Sequence, residues 1–87
     1  MKLGQKIRNR EIVYFFRRDK KVAFELALLN FILAKRKAGQ EKIFSACLRA
    51  LYWLKKAGVN ISEDLNQLRL PELMDKIEEL LATAGLV

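Results

Sequence analysis

Histidine is absent from the chain, and cysteine occurs only once, at Cys47. Without histidine, no side chain ordinarily exchanges protons near neutral pH. The sequence also shows no glycine-rich phosphate loop and no nucleophile beside an activating base. A zinc site takes about four cysteine, histidine or carboxylate ligands, and this composition does not support one. We therefore expect a protein that binds and assembles and is not an enzyme, with no metal, other cofactor or small-molecule substrate.

Disulfides and long apolar runs are also missing. One cysteine cannot form an internal disulfide, so the pattern is not that of a secreted, disulfide-stabilised scaffold. The longest apolar stretch, 22–34, is interrupted by Glu25 and Asn30, whereas a membrane span needs about 20 residues. The apolar run 12–16 is too short for a signal peptide. These absences predict no membrane span and an intracellular location, in the cytoplasm or an organellar matrix.

Glycine and proline are scarce, with four and one residues, and no segment alternates with a two-residue period. This pattern predicts an all-α fold, a small bundle of four to five helices. The first two helices could form one bent helix, because no strong breaker lies between them. The predicted helices cover roughly 6–17, 20–38, 41–57, 63–69 and 71–84.

The expected helix ends rest on a few punctuating residues. Gly39 and Gly58 each follow a run of cations and are predicted C-caps. Asp19 and Ser62 are predicted N-caps. Pro71 fits the first turn of the last helix.

Charge is unevenly distributed along the chain. Residues 1–42 carry twelve basic and four acidic side chains, a net of +8, whereas residues 62–87 have a net of −4. The basic N-terminal two-thirds, residues 1–61, favours a polyanionic partner, and the acidic C-terminal helix could meet a basic protein or shield part of the chain's own basic face. We expect one domain over 1–87, with a basic segment 1–21, extended or helical, and a helical core at 22–84.

The 20–38 helix is apolar nearly all round, which predicts burial on every side. It is either the central helix of a compact bundle or a helix that docks partly on another chain. Its candidate protein-interface residues are Phe24, Leu28, Phe31 and Ile32.

The 41–57 helix divides into two faces, and Cys47 falls on the apolar one. Its polar face carries three cations with Trp53 among them, a combination that suits a phosphate backbone and an unstacked base. The alternative is a solvated basic face with Trp53 in a crevice or a protein interface.

Three further basic clusters lie in the first 40 residues, with aromatic residues at 14–16 between them. Repeated cations predict phosphate contacts and salt-dependent binding. The apolar faces are expected to be committed to packing, unlike those of a membrane-surface helix. The candidate nucleic-acid-binding residues are Lys6, Arg8, Arg10, Arg17, Arg18, Lys20, Lys21, Lys35, Arg36, Lys37, Lys42, Arg49, Trp53 and Lys56.

Residues 23–57 resemble the helix–basic turn–helix at the front of the seventh small-subunit ribosomal protein family. The apolar run 28–33 is similar to that family's early helix, the basic turn 35–37 to its Gly-Lys-Lys turn, and residues 41–48 to the start of its next helix. Unlike in the family, the glycine here follows the basic residues. The resemblance implies that the turn lies against ribosomal RNA.

The leading hypothesis is therefore a structural RNA-binding component of a ribonucleoprotein such as the ribosome, with protein neighbours. The alternative is a helical protein–protein module or homo-oligomer that uses the 20–38 helix. Binding of DNA through a helix-turn-helix is not favoured, because the last helix is acidic.

Overall fold

The computed structural model describes residues 2–85, and for residues 63 and 66 only the backbone. Within that range there is no strand, and the predicted all-α bundle of four to five helices is confirmed. Residues 1, 86 and 87 of the predicted domain lie outside the described residues. The elements are α1 (Leu3–Arg17), α2 (Lys20–Arg36), α3 (Gln40–Lys56), a 3-10 helix (Glu63–Gln67) and α4 (Leu70–Thr83).

A sharp break separates α1 from α2, so the option of one bent helix is wrong. Arg18 has left-handed backbone angles, φ 54° and ψ 35°, and its N–H donates to the Tyr14 carbonyl at 2.7 Å. Asp19 then caps α2 by accepting from the Lys21 N–H at 2.9 Å, as predicted. The two caps satisfy backbone groups that the helix ends leave open.

The two glycines predicted as C-caps play different parts. Gly58, with φ 94°, follows α3; its N–H donates to the Lys55 carbonyl, and the Val59 N–H donates to the Leu54 carbonyl. This is a Schellman C-cap. Gly39 is instead the N-cap of α3, with φ 91° and ψ 129°. That prediction is wrong, because α2 ends earlier, at an extended Lys37.

Helix α2 is the central element, as one of the two sequence interpretations proposed. It packs against α1, α3 and α4, and α3 also packs against α4. One face of α2 carries Ala23, Ala27, Asn30 and Ala34 at helical spacing, all buried. Small side chains on this face allow the backbone of a neighbouring helix to approach closely.

Replacement of Gly58 by alanine is expected to lower the free energy of unfolding by about 1–2 kcal/mol, because an L-residue is strained at positive φ. The matched control is Gly4→Ala in α1, where an added Cβ meets no atom within 4 Å and φ is ordinary. That control should leave stability unchanged or raise it by up to about 1 kcal/mol. Urea unfolding measures both, and equal shifts of the same sign would contradict the assigned backbone conformation.

Cys47 is fully buried on α3, and this burial raises the pKa of its thiol. Because the thiolate is the reactive form, a disulfide reagent should label the native protein far more slowly than the urea-unfolded protein. The unfolding free energy should also fall as the pH rises above the thiol's ordinary pKa, since the unfolded chain loses that proton first. The Cys47→Ala variant serves as the blank and control, and fast labelling of the native protein at neutral pH would contradict the burial.

Candidate nucleic-acid interface

Three of the predicted phosphate-binding cations already have partners within the protein: Arg10 and Lys35 form ion pairs, and Arg49 forms hydrogen bonds. Arg10 Nε of α1 lies 2.6 Å from Glu25 Oε1 of α2. Lys35 Nζ of α2 lies 3.7 Å from Glu78 Oε1 of α4. The acidic last helix thus neutralises one cation of the chain's own basic turn.

Arg49 belongs to a hydrogen-bond network that includes the buried Asn30 side chain. Its Nε donates to Asn30 Oδ1 at 3.4 Å, and its Nη1 donates to Ser45 Oγ at 3.2 Å. The Asn30 amide in turn donates to the Leu26 carbonyl at 2.8 Å. Asn30 is fully buried. Burial is tolerated because both ends of the amide are hydrogen-bonded.

The other ten predicted cations are exposed, and no ion pair joins any of them to a described side chain. Nothing within the described part of the chain therefore neutralises their charge by direct contact. They are Lys6, Arg8, Arg17, Arg18, Lys20, Lys21, Arg36, Lys37, Lys42 and Lys56.

One group of cations lies where α2 turns into α3, and we call it the basic corner: Arg36, Lys37, Lys42 and Arg49. A groove of about 390 Å³ runs past it, lined by three of these cations together with Glu41 and Ser45. The turn therefore brings Lys37 alongside Lys42 and Arg49, which lie in the first and third helical turns of α3.

A second group lies at the opposite end of the bundle, and we call it the basic end: Arg17, Arg18, Lys20, Lys21, Lys55 and Lys56. Arg18 and Lys56 line one groove. A side-chain carbon added to Gly58 would lie 3.7 Å from Lys20 Nζ, so the start of α2 meets the end of α3. Lys6 lines neither of these grooves and lies in another of about 440 Å³, with Asn9, Arg10 and Val13.

Trp53 does not lie on the exposed polar face, and that expectation is wrong. Its side chain is only 8% exposed, and its ring meets Tyr14 of α1 and Tyr52 edge-on, each at 5.0 Å between centroids. On a helical wheel Trp53 borders the apolar face, and the contact with Tyr14 draws it into the core. This position agrees with the alternative interpretation, in which Trp53 lies in a crevice.

The four residues predicted as a protein interface on α2 are mostly engaged within the bundle. Phe31 is 2% exposed, and Phe24 and Leu28 are half-buried against the core. Ile32 is half-buried as well. The prediction of Phe31 as an interface residue is therefore wrong, because the surrounding helices cover it.

Exposed apolar side chains lie instead on α1 and α3. Ile12, Phe15 and Phe16 share the outward face of α1, and Tyr52 lies on the polar face of α3; all four are at least half exposed. The expectation that every apolar face is committed to packing is thus wrong for α1. The wheel position of Tyr52, opposite the core face and next to Lys56, could have identified it from the sequence.

The described surface thus offers two cationic regions, one of them beside exposed aromatic rings. No three acidic or cysteine side chains within residues 2–85 come together as a cation site. Among the helices of that range, none has the length and hydrophobicity of a membrane span. No protein-family model, curated protein or solved structure matches this chain.

Proposed function

We propose that this protein is a non-catalytic, RNA-binding structural component of a ribonucleoprotein assembly. The observation that carries the proposal is the set of ten exposed cations that no described acidic side chain neutralises. Unpaired surface cations gain most from a partner that presents closely spaced negative charge, because binding releases that partner's condensed counterions.

The distribution of these cations favours a structured RNA. The basic corner and the basic end lie at opposite ends of α2 and α3, and a helix of 17 residues such as α2 is about 25 Å long. Phosphates at two separated positions suit a folded RNA better than a single small anion. The resemblance of residues 23–57 to the seventh small-subunit ribosomal protein family supports a ribosomal RNA, with the turn 35–37 against it.

Acidic side chains on α4 support protein neighbours in the same assembly. Glu72, Asp75, Glu78 and Glu79 are all exposed. Only Glu78 reaches a cation of the basic turn, and Glu79 pairs within its own helix with Lys76 at 3.6 Å. An exposed acidic face repels RNA and attracts a basic protein surface.

A second candidate function is self-association, and the exposed apolar face of α1 favours it. Phe15 and Phe16 are 69% and 77% exposed, and contiguous exposed apolar side chains often mark a protein interaction surface. Sedimentation of the nuclease-treated protein distinguishes the two. A tight dimer without RNA affinity would support self-association and contradict RNA binding.

Binding to a structured ribosomal RNA fragment is expected to weaken steeply with salt, by about 10³–10⁵ between roughly 50 mM and 200 mM if 6–10 phosphates are contacted. Fluorescence anisotropy across a salt series measures this. An affinity that does not change with salt would contradict the proposal.

The double variant Arg36→Gln with Lys37→Gln should weaken binding and lower the log–log salt slope by about two, one unit for each lost phosphate contact. Its matched control is Arg69→Gln with Lys76→Gln, which removes the same charge from the acidic side of the chain. Equal losses in both variants would show that net charge, and not the basic corner, decides the affinity.

A further inference from the structure

Three aromatic side chains stand exposed at the basic end of the bundle. Phe15 and Phe16 of α1 are 69% and 77% exposed, and Tyr52 of α3 is 52% exposed. The rings of Phe15 and Phe16 meet edge-on at 5.4 Å between centroids. Exposing rings of this size to water is unfavourable, and the fold leaves three of them together beside cations.

A groove of about 220 Å³ runs between the C-terminal halves of α1 and α3. Phe15 and Tyr52 line it as exposed rings, and the more deeply buried Tyr14 and Trp53 complete its aromatic lining. Tyr52 is fixed edge-on against Trp53 at 5.0 Å. Because Trp53 is held by the core, the Tyr52 ring rests on a rigid support.

Cations surround the aromatic groove. Arg18 and Lys56 line it, and Lys56 Nζ lies 5.5 Å from the centroid of the Tyr52 ring. A second groove of about 410 Å³ continues past Tyr52, Lys55 and Lys56. The Glu11 carboxylate also lines the first groove and offsets part of the positive charge of Arg18 and Lys56 there.

We infer that the basic end binds an unpaired, single-stranded segment of RNA. Bases stack on Phe15, Phe16 and Tyr52, and Arg18, Lys55 and Lys56 contact the phosphates between them. This inference rests on the proposed function and names the form of RNA that one of its two cationic regions recognises. Exposed aromatic rings flanked by cations suit single strands, because every unpaired base presents a flat face for stacking.

Double-stranded RNA does not use these rings. In a duplex the bases are stacked on one another, and proteins contact mainly phosphates and sugar hydroxyls. The groove at the basic corner is lined by cations, one carboxylate and one serine, without an exposed aromatic ring. The two regions thus have different chemistry, and the aromatic one fits unpaired bases.

A second copy of the chain fits the aromatic region poorly. A twofold dimer places the same patch of each subunit against the other. Contact through Phe15 and Tyr52 would therefore bring Arg18 and Lys56 of both copies together. Like charges opposed across an interface are unfavourable, which offsets part of the gain from burying the rings.

The test replaces the rings and keeps their bulk. A triple variant, Phe15→Leu, Phe16→Leu and Tyr52→Leu, retains apolar area but has no flat π-face. The matched control is Ile12→Ala, which trims an exposed apolar side chain on the same face of α1. An unchanged urea unfolding midpoint establishes that the variants remain folded, as expected for exposed positions.

Affinity is measured by anisotropy with a labelled single-stranded oligonucleotide RNA of mixed sequence and with a blunt RNA duplex of the same length. The triple variant should lose at least about tenfold in affinity for the single strand, since stacking on one ring is worth roughly five- to 150-fold. Its affinity for the duplex should not change, and Ile12→Ala should match the unmodified protein on both. Trp53, the only tryptophan, should change its fluorescence when the single strand binds.

Other outcomes overturn the inference in distinguishable ways. If both RNAs bind in a salt-dependent way and the triple variant binds them as tightly as the unmodified protein, RNA binding stands and the stacking site is contradicted. Loss of a dimer in the triple variant, seen by sedimentation, would assign the rings to self-association. Binding to phosphatidylglycerol–phosphatidylcholine vesicles, but not to the single strand, would assign them to a membrane surface. No binding of the unmodified protein to any RNA would remove the proposed function as well.

Discussion

Helix α2 has to be covered on nearly every side by the three other α-helices of residues 2–85. Buried leucine and phenylalanine side chains contribute roughly 1.5–3 kcal/mol each, whereas an exposed ion pair contributes about 0–1 kcal/mol. The position of α1 therefore follows from burying side chains such as Ile7 against the core. The Arg10–Glu25 pair adds a preference for one orientation.

Covering α2 uses most of the apolar surface that the other helices supply. Helix α3 commits a face of small and apolar side chains, and α4 commits the fully buried Leu73, Ile77 and Leu81. Helix α1 meets the bundle on one side only, with Ile7 as its single buried residue. The outward face of α1 has no remaining element in the described chain to cover it, which is why its aromatic residues face solvent.

Helix positions could be predicted from the sequence because capping and apolar periodicity act over a few residues. Asp19, Gly58 and Pro71 mark helix ends where the structure has them. The errors concern one contact between helices and one helix end. Trp53 is buried because Tyr14 of α1 packs against it. Gly39 is an N-cap and not a C-cap because α2 ends before it. Neither event has a local signal in the chain.

The same limit applies to the candidate site. Repeated cations at 17–21 and 35–37 could be identified one cluster at a time, but which clusters share an end of the bundle depends on the antiparallel course of α2 and α3. Tyr52 acquires its importance only when α1 brings Phe15 beside it. Periodicity within one helix cannot reveal that neighbour.

The hydrogen bonds from Asn30 and Ser45 to Arg49 have a consequence for any anion that reaches the basic corner. A free arginine or lysine side chain has about 2 kcal/mol of rotamer entropy, part of which is lost when it is fixed on a ligand. Arg49 has already lost much of that freedom in the unbound protein, because its guanidinium donates hydrogen bonds to the buried Asn30 and to Ser45. Lys37 and Lys42, which no described side chain holds by an ion pair, keep theirs until contact. The corner thus combines one pre-organised donor, Arg49, with three adaptable cations, since Arg36 is likewise exposed and joined by no ion pair to a described side chain.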